Sequence, residues 1–215
     1  MIEINTYEEK FLEILKGESS LADFENWLYK NEELLTTGLP SEIYNDLILL
    51  NYNTKESKHE LAKVLDVDYE KLELYEIQQI IENELKQEPT LNSVNYELDI
   101  YELAFISYDF QIGSLKFRMH NPFEMENFAN LTDAERERIF SENFGSGKQF
   151  LKYLIDSIGS ENFRVHNWKK YEQTDSMTET KIIQTKESEY KILINGHHCY
   201  IKKEYIKQKM KKAWL

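Results

Sequence analysis

Between Phe24 and Leu65 the chain reads FENWLYKNEELLTTGLPSEIYNDLILLNYNTKESKHELAKVL, with apolar and aromatic residues recurring at helical spacing between recognisable stop signals. Phe24, Trp27 and Leu28 share one helical face; Ile43, Tyr44, Leu47 and Ile48 form a second stripe, and Leu61, Val64 and Leu65 a third. Short amphipathic stripes this close together must bury against one another, so this part of the chain is expected to form an array of helices with Phe24 and Trp27 in or near its core. None of these positions is a catalytic residue type in a catalytic arrangement.

The flanking sequence extends the array. Thr6 with Glu9 reads as a capping box, followed by the apolar face of Phe11, Leu12 and Leu15 and by Gly17 where a left-handed C-terminal cap is wanted. Ser20 with Asp23 opens a second helix running through Leu35 to Gly38, Pro40 suits the first turn of a third that ends at Asn51-Tyr52-Asn53, and a fourth begins near Thr54. A longer fifth helix, from about Tyr69 to Gln87, carries Leu72, Leu74, Ile77, Ile81 and Leu85 before Pro89 stops it. Short connections between so many helices favour antiparallel neighbours.

After Pro89 the texture changes. YELDIYELAFISYDF is rich in Tyr, Ile and Phe, and Leu115, Phe117 and Met119 alternate with polar neighbours, which predicts two strands turning near Gly113, with a bulge or a helix where the phase changes near Tyr101. Asn121-Pro122 starts a helical segment, Thr132 with Glu135 forms another capping box, and Ser146 opens a helix bearing Phe150, Leu151, Leu154, Ile155 and Ile158. FRVHNW from Phe163 to Trp168 reads as a strand, Glu172 to Thr180 as an exposed loop, and Lys181-Ile182-Ile183 as the start of another strand. KILI and HHCYI flank Asn195-Gly196, the strongest hairpin signal in the chain, because a type I′ turn needs positive φ at both central positions. Tyr205, Ile206, Met210 and Trp214 mark a closing helix. The expected fold class is α+β: an antiparallel helical region over residues 1–90, then a small, mainly antiparallel sheet with helices and a C-terminal helix over 91–215, the two expected to pack as one unit.

With 215 residues, 41% hydrophobic and 13% aromatic, the chain has ample material for a core. Its mean hydropathy of −0.63 therefore reflects charge and polar content, and a soluble globule is expected. MIEINTYEEKFLEIL lacks a basic stretch followed by an uninterrupted apolar run, and no segment approaches a membrane span, so cytoplasm is the expected location and no membrane partner is expected. The single Cys199 allows no internal disulfide. The net charge of −13 is unevenly spread: residues 1–90 hold 8 Lys/Arg against 21 Asp/Glu, residues 91–200 hold 12 against 17, and residues 201–215 hold 6 against 1. The acidic part repels nucleic-acid backbone and steers basic partners.

FENWLY, then EIYNDLILLNYN and the HELAKVL helix, resembles a helical segment of small bacterial proteins associated with polymorphic toxin systems, in which such proteins act as immunity partners. The resemblance covers about a fifth of the chain and brings no catalytic residues with it. It implies a binding protein that neutralises a cognate, basic protein toxin by direct contact, without a cofactor. Glu25, Glu32, Glu33, Glu42 and Asp46 are then the candidate binding residues.

Other constellations suggest chemistry. Glu189-Tyr190-Lys191 puts a carboxylate and a lysine on one face of a strand, and with Asp175 upstream it resembles the site of metal-dependent nucleases, in which carboxylates hold Mg²⁺ and lysine positions the attacking water. On a strand His197 and Cys199 share a face and could share a metal, with His120, His166 or a carboxylate elsewhere completing the set; otherwise Cys199 is a small core hydrophobe. Gly145-Ser146-Gly147-Lys148 echoes a phosphate loop, but Glu142 stands where the first glycine belongs and Gln149 follows the lysine, so a helix-to-helix turn is expected. The lysines of KKEYIKQKMKKAWL are expected on a solvated helix that packs its aromatic side on the core and pairs with acids of the same molecule.

Overall fold

The computed structural model describes residues 2–54, 56–65, 68–98, 106–120, 130–165 and 188–213. The chain is α+β, with helices preceding an antiparallel sheet and a helix after it. It divides into two compact units, Glu3–Leu72 and Met1–Ile2 with Glu73–Leu215.

The first unit holds α1 (Thr6–Lys16), α2 (Leu21–Lys30), α3 (Glu32–Gly38), α4 (Ser41–Leu49) and α5 (Ser57–Val64). Its core is Phe11, Ile14, Phe24, Leu28, Leu35, Tyr44, Leu47, Tyr52, Leu61 and Leu65. Phe24 is wholly enclosed, whereas Trp27 is half-buried, stacked on Phe24 at 5.8 Å between ring centres and edge-on to Phe11 at 6.4 Å. Three local features differ from the sequence reading. The capping box of α1 lies one residue earlier, at Asn5 and Glu8, where the Asn5 N–H donates to Glu8 Oε2 at 2.7 Å. The single helix expected from Ser20 to Gly38 breaks at Asn31. The Nδ2 of Asn31 donates to the Trp27 carbonyl at 2.7 Å while its own carbonyl accepts from the Leu35 N–H at 3.0 Å, so one residue ends α2 and starts α3. α5 begins at Ser57, not Thr54, because the buried Ser57 hydroxyl gathers the carbonyls of Asn51 and Thr54 at 2.5 and 2.8 Å and so ties off the preceding turn.

α6 (Tyr69–Leu85) runs across the division between the units. The sheet unit then contains β1 (Leu91–Leu98), β2 (Ile106–Ile112), β3 (Leu115–His120), α7 (Asp133–Phe144), α8 (Gly147–Ser157), β4 (Phe163–Val165), β5 (Glu189–Ile194), β6 (His197–Lys202) and α9 (Lys203–Ala213). The strands form one sheet in the order β1-β2-β3-β5-β6-β4 with antiparallel neighbours. Where two strands were expected up to Met119 there are three, and the pairing irregularity falls between Ser93 and Asn95. Tyr101, the helical start at Asn121-Pro122, the loop from Glu172 to Thr180, the strand at Lys181 and Trp214 lie outside the described residues.

Alternation along each strand gives the sheet two unlike faces. Tyr108, Phe110, Ile112, Leu115, Phe117, Met119, Tyr190, Ile192, Ile194, Cys199, Ile201, Phe163 and Val165 pack with apolar residues of α6, α7, α8 and α9. The centre of that core is aromatic: Phe140 lies 4.7 Å from Phe110, 4.9 Å from Phe144 and 5.5 Å from Phe150, and Phe144 lies 5.2 Å from Tyr190. α8 can approach β2 because position 147 is glycine; a Cβ there would stand 2.9 Å from Ile112 Cγ2. α6 is tied to the β2–β3 turn by Glu84, which is buried and accepts from the Ser114 N–H at 3.0 Å and from the Ser114 hydroxyl. Among the described residues no helix is long and apolar enough to cross a membrane.

Candidate functional site

Helices α2, α3 and α4 concentrate acid. From Leu21 to Leu49 they and their connections carry Asp23, Glu25, Glu32, Glu33, Glu42 and Asp46 against the single base Lys30. Glu32, Glu33, Glu42 and Asp46 are exposed and Glu25 is half-buried, so four of the five candidate binding acids are fully presented to solvent. The same helices carry every exposed large hydrophobic among the described residues: Tyr29 at 53%, Leu34 at 39% and Leu49 at 81%. Scattered apolar residues on a surface are ordinary, but all three of these fall on one acidic stretch of three successive helices.

Electrostatics draws some of these side chains together. Burial raises the pKa of the Tyr52 phenol, with smaller contributions from the Glu25 carboxylate and from Tyr29. Burial also raises that of Tyr44, followed by Glu32 and Tyr29. Tyr29 therefore lies within electrostatic reach of both buried tyrosines, as Glu25 does of Tyr52 and Glu32 of Tyr44. An exposed phenol on an acidic helical stretch can stack on an arginine or bury its ring against a partner while the acids meet that partner's cations. The sequence stripes miss Tyr29, Leu34 and Leu49 because they look only for the buried face. The available signal was an apolar residue off the stripe, as Tyr29 is beside Leu28.

Glu189 and Lys191 alternate with the core residues Tyr190 and Ile192 and so lie on the sheet face opposite that apolar core. Glu189 is 9% exposed and is held by Arg164, whose Nη2 donates to Oε2 at 2.8 Å; Asp175 lies outside the described residues. His197 and Cys199 point to the other face of β6, but to different surroundings. His197 Nδ1 lies 3.0 Å from Glu73 Oε1, with Nε2 4.0 Å from Glu76 Oε1, while Cys199 is buried in the core with its thiol directed at the His197 carbonyl 3.5 Å away. Burial, and to a lesser degree Glu73, pushes the Cys199 thiol pKa well up. His120 lies on the opposite face, opposite Lys191, and His166 is outside the described residues. Among the described residues no group of three or more His, Cys, Asp or Glu is arranged to hold a metal ion. Gly145 and Ser146 make the turn between α7 and α8, and Gly147 and Lys148 open α8, with Lys148 Nζ donating to Glu88 at 2.5 Å. On α9, Lys209 Nζ donates to Asp156 Oδ2 at 2.6 Å and Ile206 enters the core.

No family model, no curated protein and no solved structure matches this chain.

Proposed function

We propose that this chain is a binding protein of the immunity type, which neutralises a basic protein toxin by covering it with the face formed by α2, α3 and α4. The observation that carries the reading is the coincidence of Tyr29, Leu34 and Leu49 with six acids and one lysine on those three helices. Interfaces of this kind draw most of their affinity from a few enclosed aromatic or aliphatic anchors, and complementary charge supplies approach rate and selectivity. The partner's contacting surface is accordingly basic, with an apolar recess for the Tyr29 ring. The nuclease alternative would require Glu189 to leave Arg164 for Mg²⁺, and no feature of the described residues favours that exchange.

The test is co-expression with the toxin domain encoded by the adjacent reading frame, scoring growth and measuring affinity on purified components. The wild-type chain should restore growth and bind. Tyr29→Ala should weaken binding at least about tenfold, the scale of a single interface anchor, and Glu32→Lys with Glu33→Lys should lose rescue. A neighbouring frame that encodes no toxic domain, or variants that rescue as well as wild type, would overturn the reading.

A further inference from the structure

Residues 201–215 carry 6 Lys/Arg against 1 acid in a chain whose net charge is −13, and α9 sorts them by face. Ile206 enters the core and Tyr205 and Met210 pack against it, which fixes the buried side of the helix. Beside that side, Lys209 meets Asp156, Lys202 meets Glu161 at 3.6 Å, and Lys203 lies over the Tyr190 ring at 5.3 Å. These lysines are satisfied within their own unit, as the sequence leads one to expect. Lys207, Lys211 and Lys212 are not: all three are exposed, and among the described residues none of them meets an acid. The one acid of α9, Glu204, accepts from Gln208 at 3.5 Å instead.

Leaving these cations unmatched has a cost. Lys207 stands one turn from both Lys203 and Lys211, and like charges four residues apart on a helix repel. The helix C-terminus favours cations in its last turn, which accounts for Lys211 and Lys212 but not for Lys207 in the middle of the element.

A surface that would match them is carried by the same chain. Glu32, Glu33, Glu42 and Asp46 on α3 and α4 are exposed, and among the described residues none of the four is in an ion pair. Tyr29, Leu34 and Leu49 are exposed on the same three helices. Lysine has both parts that such a surface takes, since its carbon stem lies along apolar side chains while its ammonium reaches a carboxylate or the face of a phenol ring. Nucleic acid suits α9 less well, because among the described residues the helix leaves no free ring for a base to stack on, Tyr205 being packed against the core. A lipid surface would need the apolar side of the helix, which is already buried.

We propose that the Lys207, Lys211 and Lys212 side of α9 docks on the α2–α4 face of a second copy of this chain, joining copies head to tail through a heterologous contact. The contact rests on that face being a docking surface, as proposed above, but it involves no toxin; α9 of one copy occupies the face of another until a basic partner displaces it.

Sedimentation velocity of the purified full chain over a wide range of protein concentration tests the contact. Two copies also repel through their like net charge, so the measurement is made at about 0.15 M salt, where that repulsion is screened beyond roughly 8 Å while facing patches still act, and is repeated at about 1 M, where the screening length falls to roughly 3 Å. The average mass should rise with concentration in the first condition and return to that of one chain in the second. Lys207→Glu with Lys211→Glu, and separately Glu32→Lys with Glu33→Lys, should each lose the association, although they shift the net charge in opposite directions. An equal mixture of the two should associate, because the intact acids of the first meet the intact lysines of the second. Lys207→Gln with Lys211→Gln gives the same reading should the charge reversal unfold α9, which circular dichroism reports. A wild-type chain that stays monomeric at the lower salt, association that persists at the higher salt, or a mixture that fails to associate would each overturn the contact. So would a monomeric chain that binds polyuridylate through Lys207 and Lys211.

Discussion

Phe24 and Tyr29 lie on the same helix, α2, yet Phe24 is wholly enclosed and Tyr29 is 53% exposed. Phe24 touches Phe11, Trp27 and Tyr52 with ring centres 5.8–6.0 Å apart, so truncation would remove apolar burial and leave a cavity among rings. Phe24→Ala should cost about 3–5 kcal/mol of stability, a large part of the roughly 5–15 kcal/mol that holds a domain folded. Tyr29→Ala removes a ring that already meets water and should change the melting temperature little. Chemical denaturation of the two variants checks this: equal destabilisation would mean that Tyr29 supports the array and is not a partner anchor.

Two elements isolate single physical effects. In the turn between β5 and β6, Asn195 has φ of 45° and Gly196 of 93°, and a Cβ at position 196 would meet nothing within 4 Å. The need for glycine there is backbone strain alone, so Gly196→Val should destabilise by about 1–2 kcal/mol without any clash to relieve. Position 113 is different, since a Cβ there would fall 1.6 Å from Glu84 Oε1, adding direct overlap to a φ of 60°. A loss at Gly196→Val as large as that at Gly113→Val would contradict the distinction. α7 supplies the second case. Its capping-box carboxylate, Glu135, accepts from the Thr132 N–H and hydroxyl, and the first of these does most to lower its pKa below the ordinary 4.5. A carboxyl whose folded pKa is depressed contributes stability above its unfolded pKa and loses it as pH falls through the folded value. The melting temperature of Glu135→Ala should therefore fall short of wild type at neutral pH and converge with it in acid; a gap independent of pH would exclude the charged cap.

For the whole molecule, charge is the property with the widest reach. Glu3–Leu72 holds 7 Lys/Arg against 16 Asp/Glu, a net of −9 in a chain of −13. Exposed charge acts over roughly 8–10 Å at ordinary ionic strength and farther when salt is low. Association with a basic partner should accordingly slow as salt rises from about 0.01 to 0.15 M, with a smaller change in dissociation, because steering acts on encounter and enclosed contacts act on release. Stopped-flow binding over that range checks it, and a salt-independent association rate would remove steering from the account.

Sequence alone determined most of the local structure. The α+β class, the caps at Ser20, Thr132 and Ser146, the left-handed Gly17, the Asn195-Gly196 hairpin and the burial of Phe24 all follow from interactions within a few residues or from periodicities that any chain of this pattern must satisfy. The break at Asn31 and the start of α5 at Ser57 were not legible, because each depends on which carbonyl a short polar side chain finds once the chain has turned. Tertiary structure alone decided the strand order, with β5 set beside β3 and β4 at the edge. It therefore also decided that Ser107, His120, Lys191, Tyr200 and Arg164, spread over 94 residues of sequence, stand in one row. It likewise left Tyr29 exposed while its neighbour Leu28 is enclosed. The physical reason is the same in both cases: strand pairing and the enclosure of a helix face are set by contacts between residues far apart in the chain, which short-range spacing does not encode.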